Sequence, residues 1–402
     1  AAFFFGRALE RAGEPKRRKC ILALGIVFAA GLLCYFKYTN FILQTLRLPK
    51  VSVLPAPVGV SFLTFLLISY LADVYRGRIP AETRFSRFFL YALYFPKAAQ
   101  GPLCRYGDFS AQLDGCTQDA ALPDEGVSRL ILGLGKKVLL SGAAGAVAKD
   151  AFGLPAASLT PVYAWAGAVC YAMQLYFDFS GYTDMALGLS LCFGIRLPEN
   201  FNSPYLAVSV TDFWRRWHIS LGTWFREYVY IPLGGNRKGT ARQILNLLIV
   251  WGLTGFWHGA SWKYVMYGLY YWAIMVIGLL MEPLFKKLYG KMNVDRHGKV
   301  YRLLQVVRTF IFVNVGMLMF RADDLTAFGH MFVSMFRGFT FADLTNGTLL
   351  GMKLDMADFA VLAVGALILF LVGLYKEKGH QIRAYNDEPH KNCSKSPRSV
   401  PL

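Results

Sequence analysis

The chain has 402 residues, 55% of them hydrophobic, and a formal net charge of +18. A mean hydropathy of +0.37 is rare for a soluble domain of this length, and the apolar residues gather into long runs, which points to membrane spans. The positive charge does not indicate nucleic acid, because Lys and Arg sit at the ends of these runs and in the loops, where juxtamembrane cations belong. The seven cysteines are scattered without a C-x-x-C pair, so neither a zinc site nor a disulfide framework is supported.

The chain opens on Ala1, and residues 1–5 read as the end of an apolar helix, so further N-terminal spans are expected ahead of it. The basic segment 7–19 joins two apolar stretches and is expected on the cytoplasmic side. Helices are then predicted over 21–38, 58–75, 85–99, 130–152, 162–175, 244–257, 265–281, 303–320 and 359–374. Several fall short of the roughly 20 residues that cross a bilayer unaided. Tilted, buried or re-entrant elements are therefore expected, since irregular backbone is tolerated where protein or a water-filled cavity surrounds it. The fold class is all-α: a polytopic membrane protein with a thick multi-helix body and re-entrant or interfacial helices. One membrane domain is expected over 1–375. A polar, mobile tail is expected over 376–402.

Ionisable groups inside such a body are costly and mark functional candidates. Three clusters stand out. The first, YFDFSGYTD (176–184), interrupts an apolar region with Tyr176, Asp178, Ser180 and Asp184. Its two carboxylates either hold a broken helix together through amides or arginines or contact substrate directly, and Gly181 lets the backbone turn or pack closely.

The second cluster spans 197–239. Asp212 is placed to cap a helix. On a helical wheel Trp214, Trp217, His218, Leu221, Phe225 and Tyr228 share one face, with Arg215, Arg216, Ser220, Thr223, Arg226 and Glu227 opposite. Such a helix is too polar to span lipid and suits an interface or a protein-lined cavity. His218 on the aromatic face is either a hydrogen-bonded core histidine or a functional one, and Arg226 reads as an anchor to phosphate or carboxylate. The turn PLGGNRKG (232–239) has the basic end of a cytoplasmic loop.

The third cluster, 246–262, reads as one apolar helix with a single ionisable group, His258, deep inside it. Trp251, Thr254, Gly255, His258 and Trp262 share a face, and glycines there admit a second backbone or a slender acyl chain. A lone imidazole in that setting is expected to titrate near neutrality and to serve as a base. No G-x-S-x-G, H-E-x-x-H or Walker sequence is present, so a Ser triad, a zincin site and a P-loop are not indicated. No metal site is expected.

The segments FPKAAQGPLCRYGDF (95–109), YFDFSGYTDMALGL (176–189), PENFNSPY (198–205), FWRRWHISLGTWFREYVYIPLGGNRKG (213–239) and GFWHGASWKYVMYGLYYW (255–272) together resemble the membrane-bound O-acyltransferase family, over nearly the whole chain to about residue 375. The resemblance is nearest to the alginate O-acetyltransferase branch, which also includes the peptidoglycan and cellulose acetylation proteins. The D-alanyl exporter branch shares the two histidine motifs, but its aromatic motif resembles DF-A-G-Y where this chain has DFSGYTD.

The resemblance implies a tunnel through the helical body, His258 as the essential histidine and His218 as its usual second member. It also implies a multi-pass protein of the bacterial inner membrane. The donor would be a cytosolic thioester, acetyl-CoA or an acyl carrier protein. The acceptor would be an extracellular polymer or a separate SGNH-type acetyltransferase. Acyl transfer from a thioester needs a base and a stabilised oxyanion. His258 is expected as the base, with His218, Asn246 or Trp217 polarising the carbonyl, Asp178 or Asp184 orienting a histidine, and Trp214 and Trp257 beside them. Acyl transfer to teichoic acid, or a non-enzymatic export scaffold, are the competing readings.

Overall fold

The longest apolar runs of the sequence become the longest helices. The computed structural model describes residues 1–113, 122–155, 158–293, 295–296, 298–338, 340–342 and 356–377. In chain order the helices are α1 (Ala2–Arg11), α2 (Pro15–Thr45), α3 (Val60–Tyr75), α4 (Phe85–Leu93), α5 (Phe95–Ala98), α6 (Tyr106–Leu113), α7 (Leu122–Gly135), α8 (Gly142–Gly153) and α9 (Pro161–Cys192). They continue with α10 (Val210–Arg216), α11 (Ile219–Phe225), α12 (Thr240–His258), α13 (Trp262–Lys291), α14 (Lys299–Arg321), α15 (Leu325–Ser334) and α16 (Met356–Glu377). Among the described residues there is no β-strand, only an isolated bridge between Phe201 and Trp217. The all-α polytopic fold is as expected, and five segments are long and apolar enough to cross a membrane: Pro15–Thr45, Leu122–Gly153, Trp262–Lys291, Lys299–Arg321 and Ala357–Glu377.

Local chemistry sets the helix starts. Pro15 and Pro161 stand at first-turn positions, where a missing N–H costs nothing. The predicted helix 85–99 divides into α4 and α5 at Tyr94, because Pro96 has no N–H to continue the ladder. The segment 122–153 stays helical throughout, with a π-helical turn at Lys136–Ser141 joining α7 to α8.

Helix α9 is the central post, and it runs unbroken through YFDFSGYTD. The expected interruption is absent because the two carboxylates are paired sideways, Asp184 by Arg129 of α7 and Lys136 of the π turn, and Asp178 by Lys137. Gly181 serves close packing here: a Cβ on it would lie 2.7 Å from the carbonyl oxygen of Gly133. Small residues let membrane helices approach this closely.

Two further expectations are corrected. The stretch 212–228 is not one helix, because the chain breaks between α10 and α11, with Trp217 extended and His218 left-handed at φ 49°. The helical face expected to join Trp214 to Tyr228 therefore does not exist as such. The cap of α10 is Ser209, whose Oγ accepts the Asp212 N–H at 3.1 Å, while Asp212 Oδ2 accepts the Val208 N–H at 3.2 Å. The stretch 246–262 is likewise two helices, with His258 the last residue of α12 rather than mid-helix. Gly255 does admit a second backbone: a Cβ there would lie 2.3 Å from the Tyr264 carbonyl oxygen on α13. At the far end, Lys376 and Glu377 still belong to α16, and Glu377 pairs with Arg216 at 2.7 Å and with Arg302. The rest of the expected tail lies outside the described residues.

Candidate active site

The break between α10 and α11 makes the first half of the site. His218 is 5% exposed, and its left-handed backbone, rare for a residue with a Cβ, turns the imidazole toward Phe62 and Phe179, with ring centroids 6.2 and 4.8 Å away. Its Nδ1 lies 3.2 Å from Oδ1 of the fully buried Asn200. That same oxygen accepts the Ser220 backbone N–H at 3.1 Å and the Ser220 hydroxyl at 2.9 Å. A backbone N–H can only donate, so the Asn200 atom is an oxygen acceptor and His218 Nδ1 carries the proton. The neutral ring then presents Nε2 as a lone pair, and Nε2 has no hydrogen-bond partner among the described residues.

The second half is the end of α12. Trp257 stands between the histidines, its ring centroid 6.4 Å from that of His218 and 4.8 Å from that of His258. His258 is half-buried and packs edge-on to Tyr267 and Phe320 at 5.6 and 5.3 Å. Helix α2 pins this end: Tyr38 stacks on Phe256 at 4.1 Å and its hydroxyl donates to the Trp257 carbonyl at 3.2 Å. Lys37 donates to the same carbonyl.

Both imidazoles line one cavity of about 2200 Å³. Its wall runs from the exposed Arg237 and Lys238, just ahead of α12, to Lys37 at the other end of α12, and includes the exposed Pro57 and Gln100. Helix α12 lies along it, about 27 Å from first residue to last at 1.5 Å per residue. The histidines thus sit toward the end remote from the basic turn. Burial lowers the pKa of both, with the positive charge of Lys37 adding to the effect at His258. This departs from the expected titration near neutrality: both rings are held neutral, the form in which an imidazole accepts a proton.

The remaining predicted residues divide. Trp214, Trp217, Thr254, Trp257, Asp178 and Arg226 line the cavity with the histidines, Arg226 at the basic end. Asp178 is half-exposed and paired with Lys137. Asp184 is elsewhere: it is 4% exposed, accepts from Arg129 at 3.0 Å and Lys136 at 2.6 Å, and shares Arg129 with Glu199. Tyr176 and Ser180 line a small separate void beside it. Asp184 therefore ties α9 to α7 and pairs with arginine and lysine rather than with either histidine. Asn246 is also structural: fully buried, its Nδ2 donates to the Gly235 carbonyl at 2.8 Å and holds the basic turn. It is not among the residues that line the cavity.

Two residues at the site escaped the sequence reading. Asn200 gave no local signal, because only the fold brings it to His218. Lys37 did give one: it is the only Lys, Arg, Asp or Glu between Lys19 and Arg47, inside an apolar span.

Comparison with known proteins gives the family. The profile of MBOAT, the membrane-bound O-acyltransferase family, matches residues 78–320. The chain is 37% identical over 362 residues to a probable alginate O-acetylase AlgI of Azotobacter vinelandii, covering 88% of this chain and 69% of that protein. It is 36% identical over 355 residues to a peptidoglycan O-acetyltransferase of Helicobacter pylori, covering 80% and 66%. A teichoic acid D-alanyltransferase of Bacillus subtilis is 30% identical over 280 residues, covering 65% and 68%.

Proposed function

Because the chain belongs to the membrane-bound O-acyltransferase family, we propose that it moves an acetyl group from a cytosolic thioester to hydroxyls of an extracellular polysaccharide or peptidoglycan, with His258 as the base. The observation that carries this reading is that His258 and His218 share one cavity reaching from a basic mouth to the opposite end of α12. Acetyl-CoA, an anionic donor, enters from the side of Arg226, Arg237 and Lys238, and an acyl carrier protein is the alternative donor. The acceptor, or a separate SGNH-type acetyltransferase that passes the acetyl on, meets the site at the Pro57 and Gln100 end. In a bacterium the protein resides in the inner membrane.

In this scheme the acceptor O–H gives its proton to His258 as its oxygen bonds to the thioester carbonyl carbon. The carbonyl electrons move to oxygen. The intermediate collapses by breaking the C–S bond, and the leaving thiolate takes the proton back from the imidazolium. Nε2 of His218, fixed as an acceptor by Asn200, accepts from a neighbouring hydroxyl of the acceptor and so positions the reacting one. This replaces the expected role of His218 as a donor to the oxyanion, because the neutral ring has its only N–H committed to Asn200.

The test is acyl release from labelled acetyl-CoA by the purified protein with an oligosaccharide acceptor, repeated with His258→Ala. Turnover that depends on His258 supports the reading. Transfer only from a D-alanyl-loaded carrier protein would instead favour the teichoic acid reading, which the lower similarity to a D-alanyltransferase supports less.

A further inference from the structure

Lys37 is a half-buried cation in an otherwise apolar stretch of helix. It lies within α2, a candidate membrane span, on the cavity wall beside His258. It makes no ion pair among the described residues, and its surroundings are the rings of Tyr38 and Trp257, each with its centroid 5.7 Å from Nζ, and the Trp257 carbonyl. A charge held in low dielectric without a counter-ion is retained where an anion has to be met. One bland role exists, capping the last turn of α12, whose terminal carbonyls lack intrahelical partners. A charge is not needed for it, because the neutral Tyr38 hydroxyl already donates to that carbonyl.

The reaction creates the missing anion. When a hydroxyl adds to the thioester carbonyl, the carbonyl oxygen takes up a full negative charge, and neither neutral histidine is arranged to hold it: His218 has spent its N–H on Asn200, and His258 is the group that takes the proton. Lys37 stands one peptide away from His258, near enough that its charge disfavours a proton there. We propose that the Lys37 ammonium holds the oxyanion formed beside His258, which makes Lys37 a catalytic residue. The charges then match at each stage. The oxyanion forms against a fixed cation, and the charge leaves again as the C–S bond breaks and the thiolate departs. This inference rests on the acyl-transfer reading above.

The experiment compares wild type with Lys37→Met, Lys37→Gln and Lys37→Arg, each purified and checked for monodispersity and thermal stability. Acyl release from acetyl-CoA is measured with a neutral glucose oligomer and with a uronic-acid oligomer as acceptors. Loss of oxyanion stabilisation typically lowers kcat by about 10²–10³-fold, and that loss is expected for Met and Gln on both acceptors with KM little changed, while Arg recovers a large part. Gln keeps hydrogen-bond donors for the Trp257 carbonyl but not the charge, so a fully active Gln variant would reduce Lys37 to a helix cap and overturn the proposal. A defect confined to a raised KM for the uronic-acid oligomer would overturn it too, by assigning Lys37 to the acceptor's carboxylate. Ester content of polymer from cells carrying each variant as the sole copy needs no assumption about the donor. If wild type releases nothing from acetyl-CoA, the donor assignment fails, and unchanged ester content in the Lys37→Gln strain overturns the Lys37 proposal separately.

Discussion

Nδ1 of His218 and Oδ1 of Asn200, 3.2 Å apart, decide which side of the imidazole faces the chemistry. The Ser220 N–H on the same oxygen removes the ambiguity, and the ring is left with its lone pair on Nε2. Replacing Asn200 with Ala frees the tautomer and the ring together. A misplaced catalytic group costs about 10²-fold, and a loss of that order in kcat is expected for Asn200→Ala. Full activity in the purified variant would show that His218 needs no orientation.

The two histidines should fail differently. His258→Ala removes the base and is expected to leave no ester on the polymer. His218→Ala is expected to retain a measurable remainder, reduced by roughly 10²-fold, the loss that a misplaced reactant brings. Ester content in strains carrying each variant decides it, and equal abolition would mean that the pair acts as one unit.

The pH dependence follows from the same burial. The His258 pKa is lowered by desolvation and by the Lys37 charge, so the base is lost only when the pH falls through that lowered value. The acid limb of kcat/KM should therefore lie below the ordinary imidazole value of about 6.5. A limb at or above it, in a profile from the purified protein, would contradict the buried setting.

Asp184 should matter for folding and not for turnover. Its removal leaves Arg129 and Lys136 without a carboxylate they share deep in the body, and breaking such a buried pair costs about 3–5 kcal/mol. Asp184→Ala is expected to accumulate poorly and melt early, while any protein recovered keeps a near-normal KM. A stable variant with lost activity would return Asp184 to the site.

The basic segments 7–19 and 237–242 should share one side of the membrane. Arg18 donates to the carbonyls of Val74 and Tyr75 at the end of α3, Arg76 reaches the Glu227 carbonyl at 3.2 Å, and Arg242 donates to the Leu233 carbonyl at 3.2 Å. Cysteines introduced in either segment are expected to resist an impermeant thiol reagent in intact cells and to react after permeabilisation. Labelling of one segment from outside would separate the two ends.

By itself the sequence determined the all-α membrane class and most helix cores, and it singled out His218 and His258 as candidates. Those features rest on composition, apolar runs and residues close together in the chain. Helix ends and breaks were less legible. The break at Trp217 and His218 carries no proline or glycine, and the Phe201 bridge and the Asn200 hydrogen bonds help to hold it open. The fate of the polar groups was a tertiary matter as well. Asp178 and Asp184 are six residues apart on α9, yet one lines the cavity and the other is locked to Arg129 and Lys136, because a helix carries its neighbours to different partners. Asn200 and Lys37, 18 and 221 residues from the histidines they serve, enter the site only when the segment ahead of α10 folds onto the α10–α11 break and α2 meets the end of α12, and no spacing along a chain encodes that meeting.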